Sequence, residues 1–177
     1  MNPRADAVDR AIQIANFSPC AKSKRGVVIW SDSRIIGAGF NSLPVPASCD
    51  GSATCRTSCS ARCIHAEERA LVHAMRSGYT LRGAEMLHVK TVDGKLVAGG
   101  GPSCSSCARS VLEAGIAGFW LYEERPADIV EVALSAIEPP IPRLELMPRE
   151  SRWVRYPIDE FHRLTMLACG LPPLPRT

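Results

Sequence analysis

Residues 64–90 are IHAEERALVHAMRSGYTLRGAEMLHVK, and residues 103–122 are SCSSCARSVLEAGIAGFWLY. In each stretch, apolar residues first recur at the three- to four-residue spacing of a helix. They then form a short continuous run that is typical of a strand. Gly78 and Gly115 can end the two helices. This alternation of helix and strand predicts a layered α/β domain in which helices pack on a sheet.

The sequence on either side continues the alternation. Residues 3–16 carry apolar side chains at helical spacing. Residues 27–30 and 34–40 predict a β-hairpin, and the glycines of its second strand indicate a close backbone approach. After the predicted strand at 86–90, an Asp-Gly turn and residues 95–98 predict a second hairpin.

Three regions show weaker patterns. Residues 41–62 are rich in Ser, Pro, Gly and Cys and have no apolar period, so we expect a loop there that a metal or a function orders. A helix is predicted from Pro126 to Ile137. After Pro139 the chain is rich in proline, and we expect an irregular tail with one helix near 157–168.

Length and composition indicate one globular domain. The chain has 177 residues, of which 46% are hydrophobic and 22% charged, and its net charge is +3. This charge is mild, whereas a protein that binds duplex nucleic acid usually carries a concentrated basic face. No stretch approaches the roughly 20 apolar residues that cross a bilayer, and the first residues lack the apolar run of a secretory signal. We therefore expect a cytoplasmic protein without membrane contact.

Cysteine usage gives the first indication of chemistry. The chain contains eight cysteines. In a reducing compartment, thiols at short spacing favour metal binding over disulfides. Six of the eight form two groups: Cys49, Cys55, Cys59 and Cys63, and then Cys104 and Cys107.

Two short motifs together predict a catalytic zinc site. His65-Ala66-Glu67 and Cys104-Ser105-Ser106-Cys107 each lie at the start of a predicted helix. One imidazole and two thiolates are a zinc ligand set that leaves the fourth position open for water. Zinc lowers the pKa of that water to about 7, so that hydroxide forms at neutral pH. Glu67 lies two residues beyond His65, where its carboxylate can transfer protons without ligating the metal.

Each motif has a simpler interpretation when it is taken alone. The cysteine pair could be a redox pair or a structural corner, and His65 could cap a helix. Their joint occurrence at two helix starts favours a hydrolytic enzyme. A non-enzymatic module, in which cysteines and zinc only stabilise the fold, is the alternative from another class. Glu67 argues against that alternative, since a structural site needs no additional carboxylate.

The pattern resembles the H-x-E…P-C-x-x-C signature of the zinc-dependent nucleobase deaminases. Here Ser103 separates Pro102 from Cys104. The resemblance is greatest to the deoxycytidylate deaminase family, and it rests on Ser18-Pro19-Cys20, Gly39-Phe40-Asn41, Ile64-His65-Ala66-Glu67 and Cys107-Ala108-Arg109.

This resemblance implies a three-layer α/β/α sandwich with a central mixed sheet, like that of cytidine deaminase. It implies a zinc deaminase domain over residues 1–125. The tail after residue 125 has no counterpart in the family, and we expect residues 126–177 to form a C-terminal extension packed on the same domain. The resemblance also implies the reaction of dCMP and water to give dUMP and ammonia, by metal-bound hydroxide with Glu67 as proton shuttle. A homo-oligomer that takes a small nucleotide substrate is expected.

The resemblance also suggests substrate contacts. Asn41 matches the family's asparagine that hydrogen-bonds the nucleoside, although a turn residue at a strand end is an equally good local interpretation. Lys22 lies near the position where the family holds a phosphate. Lys22, Lys24 and Arg25 are together the candidates for an anion site.

Two other substrates stay open. A nucleic-acid base deaminase, of the tRNA adenosine type or acting on single strands, shares the catalytic motif. Charged and aromatic residues that a single-strand binder could use are Arg149, Arg152, Trp153, Arg155 and Tyr156. A modified nucleobase or nucleoside is the other possibility.

The remaining cysteines predict a second, structural zinc site. Four thiols spaced C-x5-C-x3-C-x3-C occur in one polar segment, and Cys20 can replace one of them. The candidates are Cys20, Cys49, Cys55, Cys59 and Cys63. The alternative is that some of them are small buried side chains in a packed loop.

Overall fold

The computed structural model describes residues 2–44, 49–99, 104–126 and 149–172. The helices are α1 Ala5–Asn16, α2 Ala53–Arg62, α3 Ala66–Arg76, α4 Ser105–Glu113 and α5 Ile158–Ala168. The strands are β1 Lys24–Ser31, β2 Arg34–Phe40, β3 Glu85–Val92, β4 Lys95–Val97, β5 Gly118–Pro126 and β6 Arg149–Pro157.

The described strands form one mixed sheet in the order β2-β1-β3-β5-β6, with β4 paired to the end of β3. The pair β3 and β5 is parallel, with Met86 opposite Phe119. The other pairs are antiparallel. The parallel pair is joined through α4, as a parallel connection requires. Because α3 leads into β3 and α4 follows it, both helices begin at the edge of the sheet where β3 ends.

Helices cover both faces of the sheet. On one face, α1 packs against Val28, Leu87 and Trp120. On the other face, α3, α4 and α5 pack against residues that alternate with these along the strands, among them Ile29 and Phe119. Strands buried on both sides appear in sequence as continuous apolar runs. The predicted three-layer α/β/α sandwich with a central mixed sheet is confirmed.

Two glycines allow the helices to lie close to the sheet. A Cβ atom on Gly26 would be 2.2 Å from the backbone oxygen of Ala11 in α1. A Cβ atom on Gly39 would be 2.5 Å from the backbone oxygen of Ala66, in the first turn of α3. Gly39 therefore fixes how near the start of α3 lies to β2, as its place in the predicted hairpin suggested.

The structure corrects two of the sequence predictions. Residues 41–62 were expected to form a loop, but α2 occupies 53–62. Its Ser, Thr and Cys residues favour caps and turns when isolated, so local propensity gave no helix signal. The tail after Pro139 was expected to be irregular up to its helix, but β6 occupies 149–157 and pairs along the whole of β5. An edge strand carries many charges, which hides its apolar alternation.

The sequence also predicted two helices after residue 125. The helix predicted from Pro126 falls almost entirely in residues 127–148, outside the described residues, and Pro126 itself ends β5. The helix predicted near 157–168 is α5. None of the helices in the described ranges combines the length and the apolarity that a bilayer crossing requires.

Candidate active site

Two helix N-termini bring the three predicted zinc ligands together. His65 precedes α3 and Cys104 precedes α4, with nearly identical extended backbone angles: φ −73° and ψ 157° for His65, and φ −72° and ψ 157° for Cys104. Cys107 lies one turn into α4. The Nδ1 atom of His65 is 3.3 Å from the Sγ atom of Cys104 and 3.3 Å from that of Cys107.

This spacing fits a zinc ion. Zn–S bonds of about 2.3 Å and Zn–N bonds of about 2.0 Å at tetrahedral angles place nitrogen and sulfur about 3.5 Å apart. Within the described ranges, these three residues are the group of ligand atoms that all lie within 4.8 Å of one another. We call them the His65 cluster. With three protein ligands, one tetrahedral position stays available for water.

The electrostatics of the His65 cluster favour the thiolate form that a metal requires. The hydrogen bond with Cys107, and then that with His65, lowers the pKa of the Cys104 thiol to about 4. The hydrogen bond with Cys104 raises the pKa of His65 above its ordinary value. The backbone N–H of Cys107 also points at the Cys104 sulfur, at 3.5 Å. A helix N-terminus stabilises negative charge in the same way.

Glu67 lies beside the cluster without belonging to it. Its side chain is only 4% exposed, in the first turn of α3. The carboxylate lines the same cavity as His65 and Cys104. A buried carboxylate next to an open metal position can exchange protons with whatever molecule occupies that position.

The cavity has a volume of about 270 Å³. Most of the predicted site residues line it: Cys20, Lys22, Arg25, Asn41, Cys59, Cys63, His65, Glu67 and Cys104. Cys107 is buried and does not line the cavity. Lys24 is placed elsewhere: its ammonium lies 3.5 Å from the backbone oxygen of Asn16, at the end of α1. Lys24 and Arg25 are neighbours in β1, so their side chains leave opposite faces of the sheet.

Asn41 is held in place by the protein. Its Oδ1 atom accepts hydrogen bonds from the backbone N–H of Arg25 at 2.8 Å and from the Ser18 hydroxyl at 2.8 Å. Its Nδ2 atom donates to the backbone oxygen of Ser23 at 2.9 Å. Both lone pairs of the amide oxygen are therefore used, while the amide nitrogen keeps one N–H for the cavity. The asparagine thus has a structural role, and one donor remains for a ligand.

Arg25 presents a partly buried guanidinium to the cavity. Its Nε atom donates to the Ser23 hydroxyl at 2.8 Å, and its Nη1 atom donates to the backbone oxygen of Gly99 at 3.0 Å. Burial lowers the pKa of this guanidinium below its ordinary value, while the charge of Glu67 opposes the shift. Arg25 still carries a full positive charge at neutral pH, and it faces the only carboxylate among the described residues that line the cavity.

A second group of sulfur atoms lies beside the cavity, which Cys20, Cys59 and Cys63 help to line. The Sγ atoms of Cys20 and Cys49 are 3.8 Å apart. Burial first, and then a hydrogen bond with Cys59, raises the pKa of the Cys63 thiol to about 12, and Cys20 and Cys49 add to the shift. We call these four residues the Cys63 cluster; it is looser than the His65 cluster. The Cys55 side chain and Pro102 are outside the described parts.

Sequence reasoning missed three residues of the cavity: Ser23, His88 and Gly99. Gly99 follows the β3–β4 hairpin, and nothing in the local sequence marks it. His88 could have been found from strand alternation. It is a polar residue in an apolar strand, on the face toward α3, two residues after Met86.

The residues proposed for a single-strand binder are mostly used within the protein. The Trp153 ring lies 5.2 Å from that of Tyr122. Arg155 makes an ion pair with Glu85, and the Tyr156 hydroxyl donates to Glu123 at 2.8 Å. Arg152 is exposed, and the side chain of Arg149 is outside the described residues.

Solved structures of similar fold include two deaminases. The dCMP deaminase of cyanophage S-TIM5, solved in complex with dCMP and dUMP, is 20% identical over 65% of this chain and 79% of that chain, with a TM-score of 0.48. The cytidine deaminase of Burkholderia pseudomallei is 18% identical over 67% of this chain and 84% of that chain, also with a TM-score of 0.48. No curated protein matches this sequence.

The sequence profile of one family matches most of the chain. Residues 1–123 match the family described as the cytidine and deoxycytidylate deaminase zinc-binding region. The matched range contains α1 to α4 and the whole His65 cluster. The chain therefore belongs to the cytidine and deoxycytidylate deaminase family, and it is a zinc-dependent deaminase.

Proposed function

We propose that the protein deaminates a cytosine nucleotide, converting dCMP and water to dUMP and ammonia. The observation that carries this proposal is a buried carboxylate, Glu67, that shares one cavity with the His65 cluster and with two cationic side chains. In this proposal His65, Cys104 and Cys107 hold the zinc. When bound, zinc lowers the pKa of a coordinated water so that it becomes a nucleophile at neutral pH.

Glu67 would carry the protons of the reaction. Its carboxylate takes a proton from the attacking water and delivers it to ring nitrogen N3 of the base. It then transfers the second proton to the departing amine, which leaves as ammonia while the C4 carbonyl forms. Burial on the first turn of α3 holds the carboxylate in one position and keeps bulk water from competing for it.

Lys22 and Arg25 are the proposed anion site for the phosphate. Lys22 is exposed and Arg25 is partly buried, and both line the cavity. The remaining N–H of Asn41 is a proposed contact to the sugar. Lys24 was a third candidate in the sequence, but its position on the α1 face makes it a natural control.

Free nucleotides are favoured over nucleic acid because three of the five β6 residues considered for strand binding already have partners within the protein. Arg155 and the rings of Trp153 and Tyr156 are engaged within the protein. The thiol clusters also support a reducing, cytoplasmic location. A homo-oligomer is part of the proposal, and sedimentation of the purified chain tests it.

An ammonia-release assay tests the substrate. The panel contains dCMP, dCTP, cytidine, deoxycytidine, adenosine and a single-stranded oligonucleotide, with modified cytosines as a second set. We expect the highest kcat/KM for dCMP. Lys22→Ala should raise KM for dCMP about tenfold and leave KM for deoxycytidine unchanged, as for the loss of one charge-assisted hydrogen bond.

Lys24→Ala is the matched control, since it removes the same charge two residues away on the other face of the sheet. It should change neither KM. The enzyme could instead act on the oligonucleotide alone, with an affinity that falls steeply as the salt concentration rises. That result would identify nucleic acid, and not dCMP, as the substrate.

We also propose a structural zinc held by the Cys63 cluster, with Cys55 as a further candidate from the sequence. Four thiols can close a tetrahedral site without an open position. Its support is the 3.8 Å distance between the sulfurs of Cys20 and Cys49 and the hydrogen bond between Cys63 and Cys59. The four sulfurs are farther apart than the ligand atoms of the His65 cluster, so the ion would have to draw them together. Metal analysis should give close to two zinc ions per chain.

A further inference from the structure

The imidazole of His88 lines the cavity, and its neighbours along the sheet are apolar. In β3, His88 pairs with Val27 of β1 on one side and with Leu121 of β5 on the other. Its ring lies 6.4 Å from that of Phe119. Burying a histidine ring among apolar side chains costs free energy, because the ring loses its hydrogen bonds to water. A role in ligand binding would explain why a histidine stands at this position.

No described residue makes a hydrogen bond to the His88 ring, although the side chain is only 7% exposed. In the described parts of the chain, no side-chain nitrogen or oxygen is both fully buried and without a partner. The ring nitrogens of His88 therefore open onto the cavity, which His88 lines together with Glu67. A nine-tenths buried polar group that faces a cavity is available to a ligand.

The protonation state of His88 limits which ligand groups it can bind. Burial lowers the pKa of His88 to about 4, and the charges of Arg25 and His65 act in the same direction, against that of Glu67. The ring is therefore neutral at physiological pH and offers one donor and one acceptor. It is also outside the group of metal-ligand atoms. A neutral donor suits an uncharged acceptor such as a carbonyl oxygen.

We propose that His88 is a specificity-determining substrate contact, donating a hydrogen bond to the carbonyl oxygen of a 2-oxo-4-aminopyrimidine. The inference rests on the proposed function, since Glu67 there engages N3 and the 4-amino group. The hydrogen-bonding atom of cytosine that is then left is O2. Adenine has no oxygen on its ring, so the contact distinguishes cytosine from adenine at the base itself. A site built to bond a polar atom discriminates strongly against analogues without it.

The test compares dCMP with its 2-thio analogue, in which a larger, weaker acceptor replaces O2, on the zinc-loaded full chain. His88→Leu should lower kcat/KM for dCMP about tenfold, the effect of one lost hydrogen bond. The preference for dCMP over the 2-thio analogue should fall toward one, and His88→Gln should restore part of it. Thr91→Val is the matched control, because Thr91 is a buried polar residue of the same strand that bonds Asn16 on the α1 face.

An unchanged preference in His88→Leu overturns the inference and leaves the proposed function standing. If wild-type protein turns over no cytosine nucleotide, the proposed function fails, and calorimetry with dCMP decides the inference separately. Binding that weakens about tenfold in His88→Leu supports the contact, while absent or unaltered binding overturns it.

If His88→Leu does not fold, nitrogen NMR of the histidine rings in the Glu67→Gln chain replaces it. A shift of a His88 ring nitrogen on addition of dCMP, reduced with the 2-thio analogue, supports the contact. Unmoved resonances at saturating dCMP overturn it.

Discussion

The two groups of sulfur atoms in this chain differ in how the backbone holds them. The residues of the His65 cluster begin α3 and α4, helices whose inner faces are packed into the main core through Ala66, Ala70 and Ala108. In the Cys63 cluster, Cys20 and Cys49 lie outside the helices and strands, and Cys59 lies in α2, a helix of polar composition.

The two clusters also differ in the pKa values of their thiols. Hydrogen bonds within the His65 cluster lower the pKa of Cys104 to about 4, whereas burial and neighbouring thiols raise the pKa of Cys63 to about 12. In the first cluster the Cys104 thiol is already ionised before a metal arrives, and the proton that a metal must displace lies on His65, whose pKa the Cys104 hydrogen bond raises. The second must lose protons and be drawn together by the ion, so we expect it to depend more on binding.

The largest effect should come from damage to the His65 cluster and its carboxylate. Glu67→Gln should lower kcat by about a hundred- to ten-thousandfold, because the proton carrier is lost, while the zinc content stays that of the wild type. Cys104→Ser should remove both activity and one zinc ion. Measured zinc and ammonia release separate the two cases. If Glu67→Gln loses zinc, the carboxylate is a ligand and its assigned role is wrong.

Lowering the pH should separate the two clusters. A thiol with a raised pKa is protonated at neutral pH, so zinc must displace its proton, and affinity falls about tenfold per pH unit for each such proton. At the His65 cluster, Cys104 binds no proton until the pH approaches about 4, but the raised pKa of His65 means that zinc displaces one proton from the imidazole there. An imidazole holds its proton less tightly than the Cys63 thiol, whose pKa is about 12, so zinc should leave the Cys63 cluster first between pH 8 and pH 6. Its affinity should fall about a hundredfold over this range for that thiol alone. Simultaneous release of all zinc, followed with a chromogenic chelator, would contradict this order.

The smallest effect on catalysis should follow from Cys49→Ser. Cys49 does not line the cavity among the described residues, so kcat should stay within about threefold of the wild type, as for substitutions away from the reacting groups. Zinc should fall from two ions per chain to one, with a lower melting temperature. A measured content of one zinc ion per wild-type chain would contradict the proposed structural site.

The sequence by itself determined the layered fold and the motifs of the His65 cluster. Apolar periodicity is a local property, so it located α3, β3, α4 and β5. Helix starts and thiol spacing are also local properties, and they were sufficient to predict the grouping of His65, Cys104 and Cys107 and to propose Glu67 as their proton carrier. Local propensity gave no signal for α2 or β6, since their polar composition is typical of loops and edge strands.

Only the tertiary structure decided which side chains share the cavity. Lys24 and Arg25 are adjacent in sequence, yet the alternation of β1 and the packing of α1 place them on opposite faces. His88 and Gly99 face the same cavity as residues far from them in sequence, because the sheet places β1 next to β3 and the β3–β4 hairpin near Arg25. Such long-range proximity depends on strand order and register, which no window of sequence contains.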